Sequence, residues 1–329
     1  MNHNHKETIN LNNVLSSEFY NPCDGLWLIT CYFNPNSYKT KLANYKVFER
    51  VIRKSKLNLL TVECAFDNGD FELAPFHDVI RVRTNSTMWQ KENLLNIAIK
   101  NLPANASKVV WIDCDVLFSN ANWAIETSKL LDTFPIVQPY QTLIRLPQGH
   151  TYYRGTGDIW SSFAYVWQQN SKLQLAENFH LHGHTGIAWA ARVELLKKHS
   201  LYDGCISGSA DHVMAHAMCG NFKSPCIERI LGVSKIKNKL FRYFLKWAYP
   251  FYQDVQGKIQ YVPGEVLHLW HGDTENRQYT KRHEELRKLG FDPYSDLRLR
   301  ENGTWEWETS RAELHQWAKK YFEMRLEDG

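Results

Sequence analysis

Short apolar runs alternate with stretches of helical periodicity over residues 26–115, and this alternation most limits what the chain can fold into. The run 26–33, LWLITCYF, ends at Asn34, Pro35 and Asn36, which reads as a buried strand running into a turn. Between Ser37 and Ser55, Leu42, Tyr45, Phe48, Val51 and Ile52 recur at helical spacing. A second strand is expected over Leu57–Glu63 and a third, alternating one over Val79–Arg83. Trp89–Leu102 reads as a helix with Leu94, Leu95, Ala98, Ile99 and Leu102 on one side, ended by Pro103 and Asn105. Lys108–Asp115 is a fourth strand. Strand, helix, strand, strand, helix, strand in this order predicts a mostly parallel sheet with crossover helices, an α/β architecture. Such sheets bind ligands beyond the carboxyl ends of their strands.

The second half is less regular. Strands are expected at Ile136–Tyr140 and within Val262–Trp270, the latter interrupted early by Pro263 and Gly264. Tyr152–Gly157 reads as a loop. Gly186–Ala191 leads into a helix running to about His199, and Ala210–Cys219, Thr280–Leu289 and Ser310–Leu326 read as further helices. Val233–Trp247 is a basic, aromatic helix.

Seven cysteines at irregular spacing, with no CxxC pair, exclude a zinc ribbon and suit a reducing compartment. The N-terminal MNHNHKETINLNN has no apolar core of the signal-peptide kind, and no stretch approaches a membrane span. A net charge of +4 does not by itself imply nucleic acid. Twelve Trp residues would serve core packing or the stacking of flat ligands such as sugars and bases.

The segment VVWIDCDVLFSN carries the strongest chemical signal. Alternate strand residues point the same way, so Asp113 and Asp115 can aim at one point past the strand end. Two converging carboxylates repel unless a cation sits between or near them, and a hard divalent ion also holds a diphosphate. Two solvated acids at a strand-to-loop boundary would give the same pattern.

WQKENLLNIAIKNLP followed by KVVWIDCDVLFSNANW resembles glycosyltransferases of the GT-A fold, and the resemblance continues through HTGIAWAARVELL, SGSADHVMAHA and VLHLWHG. It spans roughly Leu26 to Arg282. It implies a Rossmann-like, mostly parallel central sheet flanked by helices. The Asp-x-Asp would bind Mn²⁺ or Mg²⁺, and the metal would bind the diphosphate of a nucleotide sugar. After a polar lead-in, 1–22, it implies one catalytic domain over 23–329. Its nucleotide-binding half would be 23–120, and 121–329 would form the donor-sugar and acceptor half. Without a signal anchor, a cytoplasmic bacterial or viral enzyme is expected.

By position in that pattern, Lys91 and Asn93, with Trp89, would face the nucleotide. Gly186 and Trp189 belong to a segment that lies under the donor sugar in many such enzymes, although a tight turn with a core Trp would read alike. Asp211 stands where inverting members place the general base, with helix capping as the simpler alternative. Family members often have two acids here, whereas this chain has Ala210-Asp211, with Asp203 as a remoter fallback. His268 or His271 would be a late metal ligand. Arg277, Tyr279 and Arg282 could neutralise a diphosphate leaving group, or form a charged, solvated helix start. Thr30, Tyr32 and Asn34 at the first strand end would meet the nucleoside, and Glu63 a ribose or base.

The expectation is an inverting, metal-dependent transfer of a sugar, UDP-linked, to an acceptor hydroxyl, a glycan by default. One alternative is a DNA-modifying glycosyltransferase acting on hydroxymethylated bases, suggested by the basic, aromatic 234–247 segment. Others are a metal-dependent phosphohydrolase, which needs more acids near the metal, and a non-catalytic sugar-binding protein. The last has no use for Asp211, or for Asp113 and Asp115 together.

Overall fold

The computed structural model describes residues 23, 25–150, 158–170, 179–232 and 238–329; the expected lead-in, the 152–157 loop and residues 233–237 lie outside them. In chain order the elements are β1 (Leu26–Phe33), α1 (Lys39–Lys54), β2 (Asn58–Phe66), β3 (Val79–Thr84), α2 (Lys91–Lys100), β4 (Lys108–Ile112) and β5 (Val116–Phe118). Then come α3 (Trp123–Leu131), β6 (Ile136–Gln138), β7 (Thr142–Arg145), β8 (Ile159–Ser161), α4 (Phe163–Gln169), α5 (Phe179–His182), β9 (Ala188–Arg192) and α6 (Val193–His199). The last are α7 (Ala210–Met218), α8 (Pro225–Leu231), α9 (Lys239–Val255), β10 (Ile259–Tyr261), β11 (Glu265–His268), a 3₁₀ turn (Thr274–Arg277), α10 (Lys281–Lys288), β12 (Leu297–Leu299), β13 (Trp305–Trp307) and α11 (Ala312–Glu323).

The central sheet runs β10-β6-β9-β4-β1-β2-β3. Every pairing in it is parallel except those of β9, which is antiparallel to both β4 and β6. The mostly parallel α/β sheet expected from the sequence is therefore present, with one reversed strand. A second sheet runs β5-β11-β7-β8, and β12 pairs with β13.

The pleat of the central strands divides the interior. Leu26 and Leu28 of β1 and Val110 and Ile112 of β4 join one buried cluster. Ile29 and Phe33 of β1 and Val109 and Trp111 of β4 join the larger one, with residues of α2, α7 and α9. This is the period-two alternation of a sheet covered on both faces.

Helix α9 continues eight residues past the expected end at Trp247, with Pro250 inside it. A proline there removes one helical hydrogen bond, and the buried stripe of Phe244, Ala248, Phe251 and Val255 offsets that loss. The stripe packs on α7, so the aromatic side of this basic segment is core. No helix among the described residues is long and apolar enough to cross a membrane.

Candidate active site

A cleft of roughly 320 Å³ opens where β1 and β4 end. The first turns of α2 and α7, the turn before β9, the loop after β11 and Arg325 complete its walls.

Strand β4 stops at Ile112, so Asp113 and Asp115 lie in the turn between β4 and β5 rather than in one continuous strand. The turn is pinned at both acids: Asp113 N donates to Ile187 O (2.8 Å) and Leu269 N donates to Asp115 O (2.8 Å). Their side chains take different partners. Asp113 forms an ion pair with Lys91, at the start of α2. Burial, only partly opposed by Lys91, raises the Asp113 carboxyl above its usual range. Asp115 turns instead to His271, with Oδ2 3.0 Å from His271 Nε2, while Oδ1 lies 3.9 Å from His268 Nε2. Burial works against its charge, yet His271 and His268 hold Asp115 below the usual carboxylate range.

The two acids stand differently toward a metal, Asp115 being placed to ligate one directly and Asp113 only through water. The donor atoms close enough to share an ion belong to Asp115, His268 and His271, all within 4.8 Å of one another, and Asp113 is outside that group. Both candidate histidines are in it. Asp115 Oδ1 is buried without a hydrogen-bond partner. The two Nε2 atoms face each other at 3.3 Å, and Arg277 Nη2 approaches His271 Nε2 at 2.9 Å. One carboxylate and two imidazoles at this spacing need a proton or a cation among them, and the N₂O donor set suits a divalent ion such as Mn²⁺. A second cavity of roughly 220 Å³ shares His268, His271, Arg145 and Arg277 with the first, so the two histidines border both spaces.

Asp211 lies in the first turn of α7, with Oδ1 accepting from His212 N at 2.8 Å. Its other oxygen lies against Gly186, and a Cβ on Gly186 would collide with Asp211 Oδ2. Gly186 thus provides the space that lets this carboxylate reach the cleft. The next residue, Ile187, has φ +81°, a left-handed conformation costly for a β-branched side chain. Asp113 N holds its carbonyl there, and Trp189, fully buried, donates from Nε1 to Thr185 O (2.7 Å) underneath.

Gly186→Ala is accordingly expected to push the Asp211 carboxylate aside. Turnover should fall about 100-fold, the order of loss caused by an ångström-scale misplacement. The circular dichroism spectrum should not change; wild-type turnover in a folded variant would disprove the steric role.

Cations crowd one part of the cleft. Arg145 and Arg277 each keep a buried Nε without an acceptor. Arg282 is buried, with Nη1 on Tyr321 Oη (2.7 Å) and Nη2 on Ser209 Oγ (2.5 Å). Tyr279 would be raised by burial, but Arg277, Arg145 and Arg282 pull its hydroxyl down to about 8. Such a cationic wall, already desolvated, suits an anion.

Of the residues expected at the site, Trp89, Lys91, Asp113, Asp115, Gly186, Asp211, His268, His271, Arg277, Tyr279 and Arg282 line this cleft. Thr30, Tyr32, Asn34, Glu63, Asn93 and Trp189 do not, and each has another task. Thr30 donates to Ile112 O (2.7 Å), Tyr32 bonds Glu72, and Asn34 brackets Tyr38. Glu63 Oε1 accepts from Leu73 N (2.9 Å), Asn93 donates to Gly303 O (2.7 Å), and Trp189 is core. Cys31 and Phe33, of the opposite pleat parity, face the cleft in place of Thr30 and Tyr32. Asp203 is also outside the cleft lining and meets Tyr243.

Sequence reading missed Glu92, Arg145 and Arg325. Burial pushes the Glu92 carboxyl up to about 8. The helical pattern places it beside Lys91, which was signal enough. Arg325 had none, because it reaches the cleft only through the docking of the C-terminal segment, where Tyr38 donates to Phe322 O (3.0 Å) and Asp328 caps Thr40 N (2.8 Å).

No protein-family model matches the sequence, and no curated protein matches it. Among solved structures, the chain is similar to glucosyl-3-phosphoglycerate synthase from Mycobacterium tuberculosis, at 11% identity and TM-score 0.41 over 92% of each chain. It is also similar to mannosyl-3-phosphoglycerate synthase from Rubrobacter xylanophilus, at 11% identity and TM-score 0.39 over 81% of this chain and 75% of that one. A third is 4-diphosphocytidyl-2C-methyl-D-erythritol synthase from Anaerococcus prevotii, at 12% identity and TM-score 0.31 over 74% and 88%. At these scores the similarity is one of outline, and what the cleft can do follows from its own side chains.

Proposed function

We propose that this chain is an inverting, divalent-metal-dependent glycosyltransferase that moves a sugar from a nucleotide sugar, UDP-linked, to an acceptor hydroxyl, a glycan by default. One observation carries the reading. The Asp115–His268–His271 trio, Asp211, and Arg145 and Arg277, each with a buried Nε that has no acceptor, all line the same cleft. A divalent cation held by the trio would supply charge neutralisation for a diphosphate.

The chain's own residues supply the rest. Arg145, Arg277 and Arg282 bind the diphosphate oxygens and take up the negative charge that grows on them as the glycosidic bond breaks. Lys91 bridges the two acidic regions. Burial lowers its affinity for a proton, but Asp113 and Asp211 outweigh that and keep it charged. Trp89 and Phe33 give the cleft an aromatic wall for flat groups. Asp211 takes the proton from the acceptor hydroxyl as that oxygen attacks the anomeric carbon from the side opposite the leaving diphosphate. A single displacement of this kind inverts the anomeric centre.

A phosphohydrolase fits less well, because the described trio contains one carboxylate only. The DNA-modifying alternative loses part of its basis. The aromatic face of α9 is committed to the core.

The test is calorimetric titration of UDP and a panel of UDP-sugars, with Mn²⁺ and with EDTA, followed by other nucleotides. Metal-dependent binding of one nucleotide sugar is expected, and NMR of the product should give the inverted anomer. Absence of binding by every nucleotide under both conditions overturns the reading.

A further inference from the structure

A second cluster of donor groups lies behind the cleft, inside the core. His216 is fully buried and neither of its ring nitrogens has a hydrogen-bond partner. A neutral imidazole carries one donor and one acceptor, and leaving both unmet in an apolar interior is costly. The groups around it are of one kind. His212 and His216 sit four residues apart on α7, hence on one helix face, with rings stacked at 5.3 Å and 16°. His182, the last residue of α5, has its ring 5.0 Å from that of His212 and 5.4 Å from that of His216. Cys226, near the start of α8, places Sγ 3.4 Å from His182 Nε2.

We propose that His182, His212, His216 and Cys226 hold a structural zinc ion. One ligand atom from each of the four lies within 4.8 Å of all the others. Zinc–nitrogen and zinc–sulfur bonds of about 2.0 and 2.3 Å set the nitrogen–sulfur edge of a tetrahedron at about 3.5 Å, close to the separation of His182 from Cys226. Supporting contacts are in place as well. His182 Nδ1 lies 2.8 Å from Gly183 O, so it can donate there and leave Nε2 as a ligand. Arg229 Nη2 lies 3.7 Å from Cys226 Sγ, and a nearby cation favours the thiolate.

Ligand type separates this site from the Asp115 trio, and His212 is the one of its four residues that also borders the cleft. Three nitrogens and a thiolate suit zinc rather than the oxygen-seeking Mn²⁺ or Mg²⁺. All four residues are buried, at most 4% exposed, leaving no open position for substrate, as in structural zinc sites. The ion ties α5, α7 and α8 together and fixes the first turn of α7, where Asp211 immediately precedes His212. The inference does not depend on the transferase reading and can hold if that reading fails.

The test uses the full chain from cells grown with cobalt in place of zinc. A cysteine-ligated cobalt ion gives a thiolate-to-metal charge-transfer band in the near ultraviolet, which the Asp115 trio, having no thiol, cannot produce. We expect that band in wild type and in Asp115→Ala, and its loss in Cys226→Ala. Chain from zinc medium, dialysed against Mn²⁺ to clear the cleft, should retain about one zinc per molecule by elemental analysis. Chelating that zinc should lower the thermal midpoint. Wild type with neither band nor retained zinc overturns the proposal, and needs no variant to fold. A band that survives Cys226→Ala, or zinc lost on Asp115→Ala, overturns it too.

Discussion

Asp115→Ala is expected to abolish metal-dependent donor binding. In calorimetry with Mn²⁺ the affinity for the nucleotide sugar should drop about 100-fold or more, since a metal's contribution of several kcal/mol exceeds two decades. The residual heat should match that of wild type in EDTA. The substitution removes one of three ligands, including the Oδ1 atom left buried without a partner, while the backbone bond from Leu269 N to Asp115 O remains. Because His271 and His268 keep Asp115 ionised against the cost of burial, the carboxylate is already in the form that binds a cation. Asp113→Ala should behave differently. Its carboxylate is engaged with Lys91 and lies outside the trio, so the Mn²⁺ response should persist with weaker binding. Wild-type Mn²⁺ dependence in Asp115→Ala would place the metal elsewhere.

Asp211→Asn is expected to lower kcat by about 10²–10⁴-fold, the usual worth of a general base, with donor affinity unchanged. The amide keeps an oxygen to accept from His212 N, as Oδ1 does now, and adds no volume against Gly186. It cannot take a proton. The comparison that decides the role is kcat against donor Kd. A fall in both would make Asp211 a binding group, and a kcat within about tenfold of wild type would remove it as the base. Glu92 is the acid to examine next, being buried in the same cleft with its carboxyl pushed up to about 8.

Some of the missed assignments share one physical cause. The strand 26–33 is buried on both faces, so its sequence does not say which parity faces the ligand. Thr30, Tyr32 and Asn34 were the polar and hence attractive choice, yet they satisfy buried backbone and side-chain groups, while Cys31 and Phe33 border the cleft. In Ala188–Arg192 the small residues looked like the approach to a helix. The expected helix follows at Val193–His199, but before it they form the antiparallel strand wedged between β4 and β6, because alanines fit where both sheet faces are covered. His212 and His216 read as ordinary helix residues, since nothing local announces that His182 and Cys226 fold against them.

The sequence by itself determined the alternating strands and helices of residues 26–115, and with them a mostly parallel sheet with Asp113 and Asp115 just past the end of one strand. Those features rest on periodicity and turn chemistry, which act over a few residues. Tertiary structure alone decided that Asp113 pairs with Lys91, that Asp115 meets His268 and His271, and that Arg325 enters from the far end of the chain. These are contacts between segments brought together by burial of the sheet's two faces, and burial does not depend on distance along the chain.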